Sequence, residues 1–276
     1  MTSPRHPGEE VACSHGLTDH DVPHPSEVSE VPEAPAVRRT VDTEGAGLTV
    51  REAHDGPARS MQRRRAWLHL AREDAVLARL AASYPETDPF EWGDHGPRGH
   101  DLFRTLAFLI VGQAVTPSVA AEQYDVLNGL VGGELTPGSI AGVGVADVER
   151  AGVARFKAVA IGALAQAVNS DRVSLEALDE LPDEQICQVL TLLPGVGRWA
   201  VELFLIRGYH RPDVFPASDP VLRHAIRRQW AMASLPTPGA ADALAAGWRP
   251  HRSFAAALLW ATHSHQEGWI VTDSGP

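Results

Sequence analysis

Leu192-Leu193-Pro194-Gly195-Val196-Gly197-Arg198-Trp199 is the stretch that decides how this chain folds. A proline and two glycines there separate two apolar segments. Upstream, Ile186, Val189, Leu190 and Leu193 fall at i, i+3, i+4 and i+7, which predicts an amphipathic helix ending at Pro194. Downstream, residues 198–207 are apolar nearly all round, which predicts a buried helix closed by Gly208. Two helices joined by Pro194-Gly195-Val196-Gly197 make a helix–hairpin–helix candidate. Glycine tolerates positive φ and lets a ligand come close to the backbone. The second helix, opening at Arg198, would then aim its N-terminal amides and its dipole at a phosphate. An ordinary helical turn uses the same residues, so this motif alone leaves both readings open.

Asp219 lies 22 positions beyond Gly197, in Phe215-Pro216-Ala217-Ser218-Asp219-Pro220. Asp followed by Pro reads as a helix N-cap with proline at the first helical position. A capping carboxylate keeps one oxygen free, so Asp219 can cap a helix and also do chemistry.

Further helices are predicted over 67–82, from 101 through 109 and onward, over 117–130 with Thr116 as N-cap, over 145–151, 154–168, 220–230 and 253–263. Pro85, Pro89 and residues 93–99 read as a loop. No run of alternating strands and no internal repeat is evident, so the fold class is all-α. Residues 1–60 are rich in Pro, Glu, Ser, His and Gly without periodicity, which predicts a disordered acidic tail ahead of a domain spanning 61–276.

The net charge is −11, unusual for a nucleic-acid binder. Residues 1–60 hold eleven acids against five arginines, which leaves about −5 for the rest. Any basic face must therefore be local. The two cysteines, Cys13 and Cys187, exclude a four-cysteine iron–sulfur site within one chain and suggest no disulfide framework. No apolar stretch approaches the roughly 20 residues of a membrane span, and no signal peptide is evident, so the cytosol is expected. The thirteen histidines show no zinc-like spacing. Arg223, Arg227 and Arg228 follow Asp219 on one helix, and either meet phosphates or form a solvated face.

Taken together, Leu192 to Ala200, Arg211-Pro212-Asp213-Val214-Phe215-Pro216, Asp219, Ile110-Val111-Gly112-Gln113 and Trp248-Arg249-Pro250-His251-Arg252-Ser253 through Leu259-Trp260 resemble, in this order, the helix–hairpin–helix Gly/Pro–Asp superfamily of DNA glycosylases. The likeness is to its 3-methyladenine glycosylase II branch and covers about Trp67 to Trp260. The resemblance implies two α-helical subdomains with a cleft between them. It implies that Pro194, Gly195, Val196, Gly197 and Arg198 hold DNA, that Asp219 is catalytic, and that Trp199, Trp260 and Gln113 belong to the base pocket. Both tryptophans, taken as residues in apolar helices, also suit the core. The resemblance further implies a monovalent cation on the backbone carbonyls of Thr191, Leu193 and Val196, and no catalytic cofactor.

The activity so implied is hydrolysis of the N-glycosidic bond of a flipped-out alkylated purine such as 3-methyladenine in duplex DNA, by a monomer near the nucleoid. Flipping costs a few kcal/mol. One ionised carboxylate can stabilise the oxocarbenium charge that develops on the sugar, with arginine or helix amides keeping it charged. A cationic base is attracted to aromatic faces. Relatives that also cut the backbone carry a Schiff-base lysine two positions after the second hairpin glycine, where this chain has Trp199. Its only lysine, Lys157, belongs to another segment. The chain departs from the pattern at Ala114, a position where relatives carry a larger wedging residue, and at Leu203, where an aromatic is common. These departures motivate two alternatives: a glycosylase for neutral deaminated or mismatched bases, or a damaged-DNA-binding protein with weak catalysis.

Overall fold

The computed structural model describes residues 57–92 and 101–264, all within one unit, Arg38–Pro276. The expected acidic tail lies outside the described residues up to position 56, and the first helix starts at Pro57, ahead of the Met61 boundary. Among the described residues the structure is helical throughout, without a strand. No described helix is long and apolar enough to cross a membrane.

The order is α1 (Pro57–Glu73), α2 (Ala75–Ser83), α3 (Leu102–Val111), α4 (Pro117–Leu130), α5 (Pro137–Ala141), α6 (Val145–Arg150), α7 (Arg155–Asn169), α8 (Leu175–Leu178), α9 (Asp183–Leu190), α10 (Arg198–Arg207), α11 (Pro220–Gln229), α12 (Pro238–Ala245) and α13 (Arg252–Ser264). The single helix predicted over 67–82 is two helices. Asp74 breaks it, because its carboxylate accepts the Val76 and Leu77 amides and so starts a new helix. Four helices open on a capping side chain followed by proline: Thr116-Pro117, Thr136-Pro137, Asp219-Pro220 and Thr237-Pro238.

The helices sort into two groups. In one, α3 packs on α4, α7, α8 and α10, with α5 and α6 against α7 and α9 against α10. In the other, α13 packs on α1, α2 and α11, with α12 against α11. The core of the second group includes Phe254 through Leu259 of α13, all buried, and the fully enclosed Trp248, stacked on Trp230 at 5.5 Å. The chain crosses between the groups through residues 211–216, where Arg252 grips Asp213 and the Ser253 hydroxyl donates to the Arg211 carbonyl at 2.7 Å. The Val214 amide donates back to that hydroxyl at 3.0 Å. The two matching segments around Asp213 and Arg252 are thus one clamp, whose work is to hold α11 and α13 in register. Asp219 follows directly after it.

Candidate active site and hairpin

The hairpin forms as the glycines require. Gly195 has φ +78°, and a Cβ there would meet the Phe156 carbonyl at 2.7 Å and Ala160 at 2.9 Å. No other residue fits. Gly197 caps α10 without any side-chain hydrogen bond, so the helix opens on backbone amides alone. Pro194 and Gly195 are exposed, Val196 is buried beneath them, and Leu192 stands 58% exposed on the same turn. Arg198 pairs with Glu184 at 2.8 Å and Glu202 at 2.9 Å, which hold its charge firmly.

Gln113 serves this hairpin. Its amide nitrogen donates to the Gly195 carbonyl at 3.1 Å and to the Ile110 carbonyl at 3.2 Å, and its oxygen accepts the Gly197 amide at 3.3 Å. The structure therefore brings Gln113 to the hairpin backbone. Its neighbour Ala114 is exposed and sits at φ +57°, a strained value for a residue with a side chain. Leu203 lies in the core at 9% exposure.

Asp219 is 4% exposed and caps α11, with Oδ1 accepting the Leu222 amide at 3.0 Å. The other oxygen, Oδ2, accepts Nε1–H of Trp199 at 3.0 Å. The Trp260 indole is near enough to this carboxylate to favour its charged form. Burial raises the Asp219 pKa, and the Trp199 and Trp260 indoles together with the Leu222 and Val221 amides pull it back. Of the arginine or helix amides expected beside the carboxylate, the structure supplies the amides, joined by indole donors. Trp199 belongs to the first helix group, Trp260 and Asp219 to the second, so the carboxylate sits where the two groups meet. The cap expected of Asp219 is present on Oδ1, while Oδ2 faces the Trp199 indole.

Lys157 is buried at 2% exposure and donates to the Val111 carbonyl at 2.6 Å and to Gln123 at 3.2 Å. Burial lowers its pKa. It ties α7 to the end of α3. Of the arginines on α11, Arg223 donates to the Pro236 carbonyl at 2.7 Å and Arg228 to Thr262, while Arg227 is exposed. Cys187 is buried, its thiol pushed up to about 11 by that burial. Sequence reasoning missed Arg207, whose guanidinium lies over Trp92 and Trp260. A charged residue at a helix end gives no sign of such a partner.

No protein-family model matches the chain. Among curated proteins, DNA-3-methyladenine glycosylase 2 of Escherichia coli is 27% identical over 206 residues, covering 71% of this chain and 66% of that one. Alkylbase DNA glycosidase-like protein mag2 of Schizosaccharomyces pombe is 27% identical over 126 residues, covering 45% and 59%. The chain spans less than two thirds of the length of the curated relatives it matches. Among solved structures, the Schizosaccharomyces pombe 3-methyladenine DNA glycosylase in complex with abasic DNA superposes with TM-score 0.64 at 23% identity, over 72% of this chain and 97% of that one. The 3-methyladenine DNA glycosylase from Archaeoglobus fulgidus gives 0.59 at 22% identity, over 73% and 70%. With an all-helical fold, a Pro-Gly-Val-Gly hairpin and a buried aspartate beyond it, the chain shares the fold of the solved 3-methyladenine DNA glycosylases and is similar in sequence to the DNA-3-methyladenine glycosylases.

Proposed function

We propose that this chain is a monofunctional DNA glycosylase of base-excision repair, which hydrolyses the N-glycosidic bond of an alkylated purine such as 3-methyladenine in duplex DNA. The observation that carries the reading is the Asp219 carboxylate, buried at a helix N-terminus and held by the indoles of Trp199 and Trp260 just beyond the hairpin. The relatives named for 3-methyladenine support the same substrate class.

The base leaves C1′ with the bonding electrons, and a cationic alkylated ring becomes neutral as it goes. The sugar is left with oxocarbenium character. Asp219, ionised and fixed in a dry site, stabilises that charge without having to reorganise. Water then adds at C1′ and its proton passes to solvent, leaving an abasic site. The aromatic faces of Trp199 and Trp260 suit a positively charged ring. The exposed hairpin and the uncapped amides of α10 suit a backbone phosphate, which positions DNA without reading its sequence.

Two further parts belong to this reading. The first is a monovalent cation at the hairpin. The carbonyls of Thr191 and Val196 take no backbone N–H among the described residues, and that of Leu193 takes only the Val196 amide, so each keeps a lone pair for a hard cation. Bound there, it would brace the turn and offset phosphate charge. The second is the absence of a lyase step. Trp199 stands at the lysine position, and the Lys157 ammonium is buried against the Val111 carbonyl.

The test is release of free base from methylated duplex DNA by the purified chain. Release of 3-methyladenine or 7-methylguanine is expected. Release of hypoxanthine or uracil alone, from duplexes carrying them, would replace this reading with one for neutral bases.

A further inference from the structure

We propose that Arg207 is a positioning residue for this reaction: stacked between Trp92 and Trp260, its guanidinium holds the Trp260 indole against Asp219. The proposal rests on the function proposed above for Asp219. Arg207 ends α10, and its Cζ lies 5.2 Å from the Trp92 ring centroid and 5.7 Å from that of Trp260. Both distances are within the range of cation–π attraction, which is strongest for tryptophan and grows when the cation is desolvated. Trp92 is itself braced, edge-on to Phe108 at 5.1 Å. The order Phe108, Trp92, Arg207, Trp260, Asp219 forms one continuous stack from the core to the carboxylate.

Arg207 has no need to be an arginine for packing alone. Its Nη1 is buried with no hydrogen-bond acceptor, a cost that a leucine or methionine would avoid. Burial brings its pKa down to about 10, so it keeps its charge at neutral pH. Asp88 and Glu91 favour that charge and Arg59 opposes it, while Arg59 is already paired with Asp88 at 2.7 Å. The rings are thus what the guanidinium grips. The groups that act directly on Asp219 are the Trp199 and Trp260 indoles and the Leu222 and Val221 amides. The charged neighbours on α11 point elsewhere, Arg223 to Pro236 and Arg228 to Thr262. Arg207 therefore reaches the carboxylate through the Trp260 ring.

The experiment needs neither DNA nor activity. In the full chain labelled with ¹⁵N-tryptophan, the Trp199 Nε1–H resonance is followed against pH as a reporter of Asp219 ionisation. Arg207→Met and Trp260→Phe are each expected to raise the midpoint by about half a pH unit or more, because the charged carboxylate loses a held donor. In the double variant no shift beyond that of Trp260→Phe is expected, and Arg207→Lys, which keeps a cation on the rings, returns most of the shift. Arg207→Gln is titrated alongside, so that a variant that fails to fold leaves the test standing. A native midpoint in folded Arg207→Met or Arg207→Gln overturns the proposal. So does a further shift from Arg207→Met on top of Trp260→Phe, which would mean a direct charge effect. The acid limb of base release should move in the same order. A native chain that releases no base defeats the functional reading, while the indole titration still decides the role of Arg207.

Discussion

Nε1–H of Trp199 donates to Oδ2 of Asp219 at 3.0 Å, so the second residue of α10 joins the hairpin to the buried carboxylate. Any DNA phosphate seated on the hairpin lies at the start of the same helix that holds Asp219 in place. In the proposed reaction, binding and chemistry would thereby be built on one helix, which would keep the carboxylate preorganised.

Burying Asp219 should make stability depend on pH in a particular direction. Its folded pKa is raised above the ordinary value of 3.8, chiefly by burial. The native state thus binds this proton more tightly than the unfolded chain does. The contribution is favourable at acid pH and is lost as pH rises from about the ordinary value through the raised one. Relative to Asp219→Asn, the native chain should therefore lose stability between acid and neutral pH. Denaturant titrations of both at several pH values check this, and parallel curves would contradict it.

Gly195→Ala should damage both fold and binding. A left-handed alanine costs about 1–2 kcal/mol, and its Cβ would overlap the Phe156 carbonyl, 2.7 Å away. A lowered melting temperature is expected, with weaker binding to DNA of any sequence. Unchanged affinity in a folded variant would remove the hairpin from the DNA interface.

Gln113→Ala should loosen the hairpin while leaving the hydrogen bonds of Asp219 to Trp199 and Leu222 in place. It leaves the Gly195 carbonyl and the Gly197 amide without their side-chain partner. The loss should be about 1–2 kcal/mol of stability, since both groups are partly reached by water. DNA affinity should fall while the acid limb of base release stays in place. A shifted limb would show that Gln113 works at the base instead.

Much of this fold and site is legible in the sequence, for identifiable reasons. The hairpin is readable because only glycine fits its turn, and Asp219 because Asp-Pro is a strong helix start. The same signal at Thr136-Pro137 and Thr237-Pro238 marks α5 and α12, which hydrophobic periodicity alone passes over because they are short and small-sided. The break at Asp74 is hidden because apolar spacing continues across it. Gln113 is legible as a motif residue but not as a hairpin brace, since its partners are backbone atoms 82 and 84 positions away. Arg198 is legible as a hairpin residue, but its ion pairs with Glu184 and Glu202 are not. Arg207 is invisible for a similar reason: its partners are ring faces brought together only by tertiary packing.

The buried Lys157 should give no covalent adduct. Its Nζ is bonded to the Val111 carbonyl and lies on α7, away from the lysine position now held by Trp199. Borohydride reduction in the presence of abasic duplex DNA should trap nothing. A trapped complex that disappears in Lys157→Arg would contradict the monofunctional reading.

The most direct test compares base release from methylated duplex DNA by the native chain and by Asp219→Asn. Asparagine can still cap α11, but it cannot carry the charge that stabilises the sugar. Base release should fall by about 10²-fold or more, with binding to abasic DNA largely retained. Release of 3-methyladenine at a native rate by Asp219→Asn would mean that Asp219 is only a helix cap, and would contradict the account at its centre.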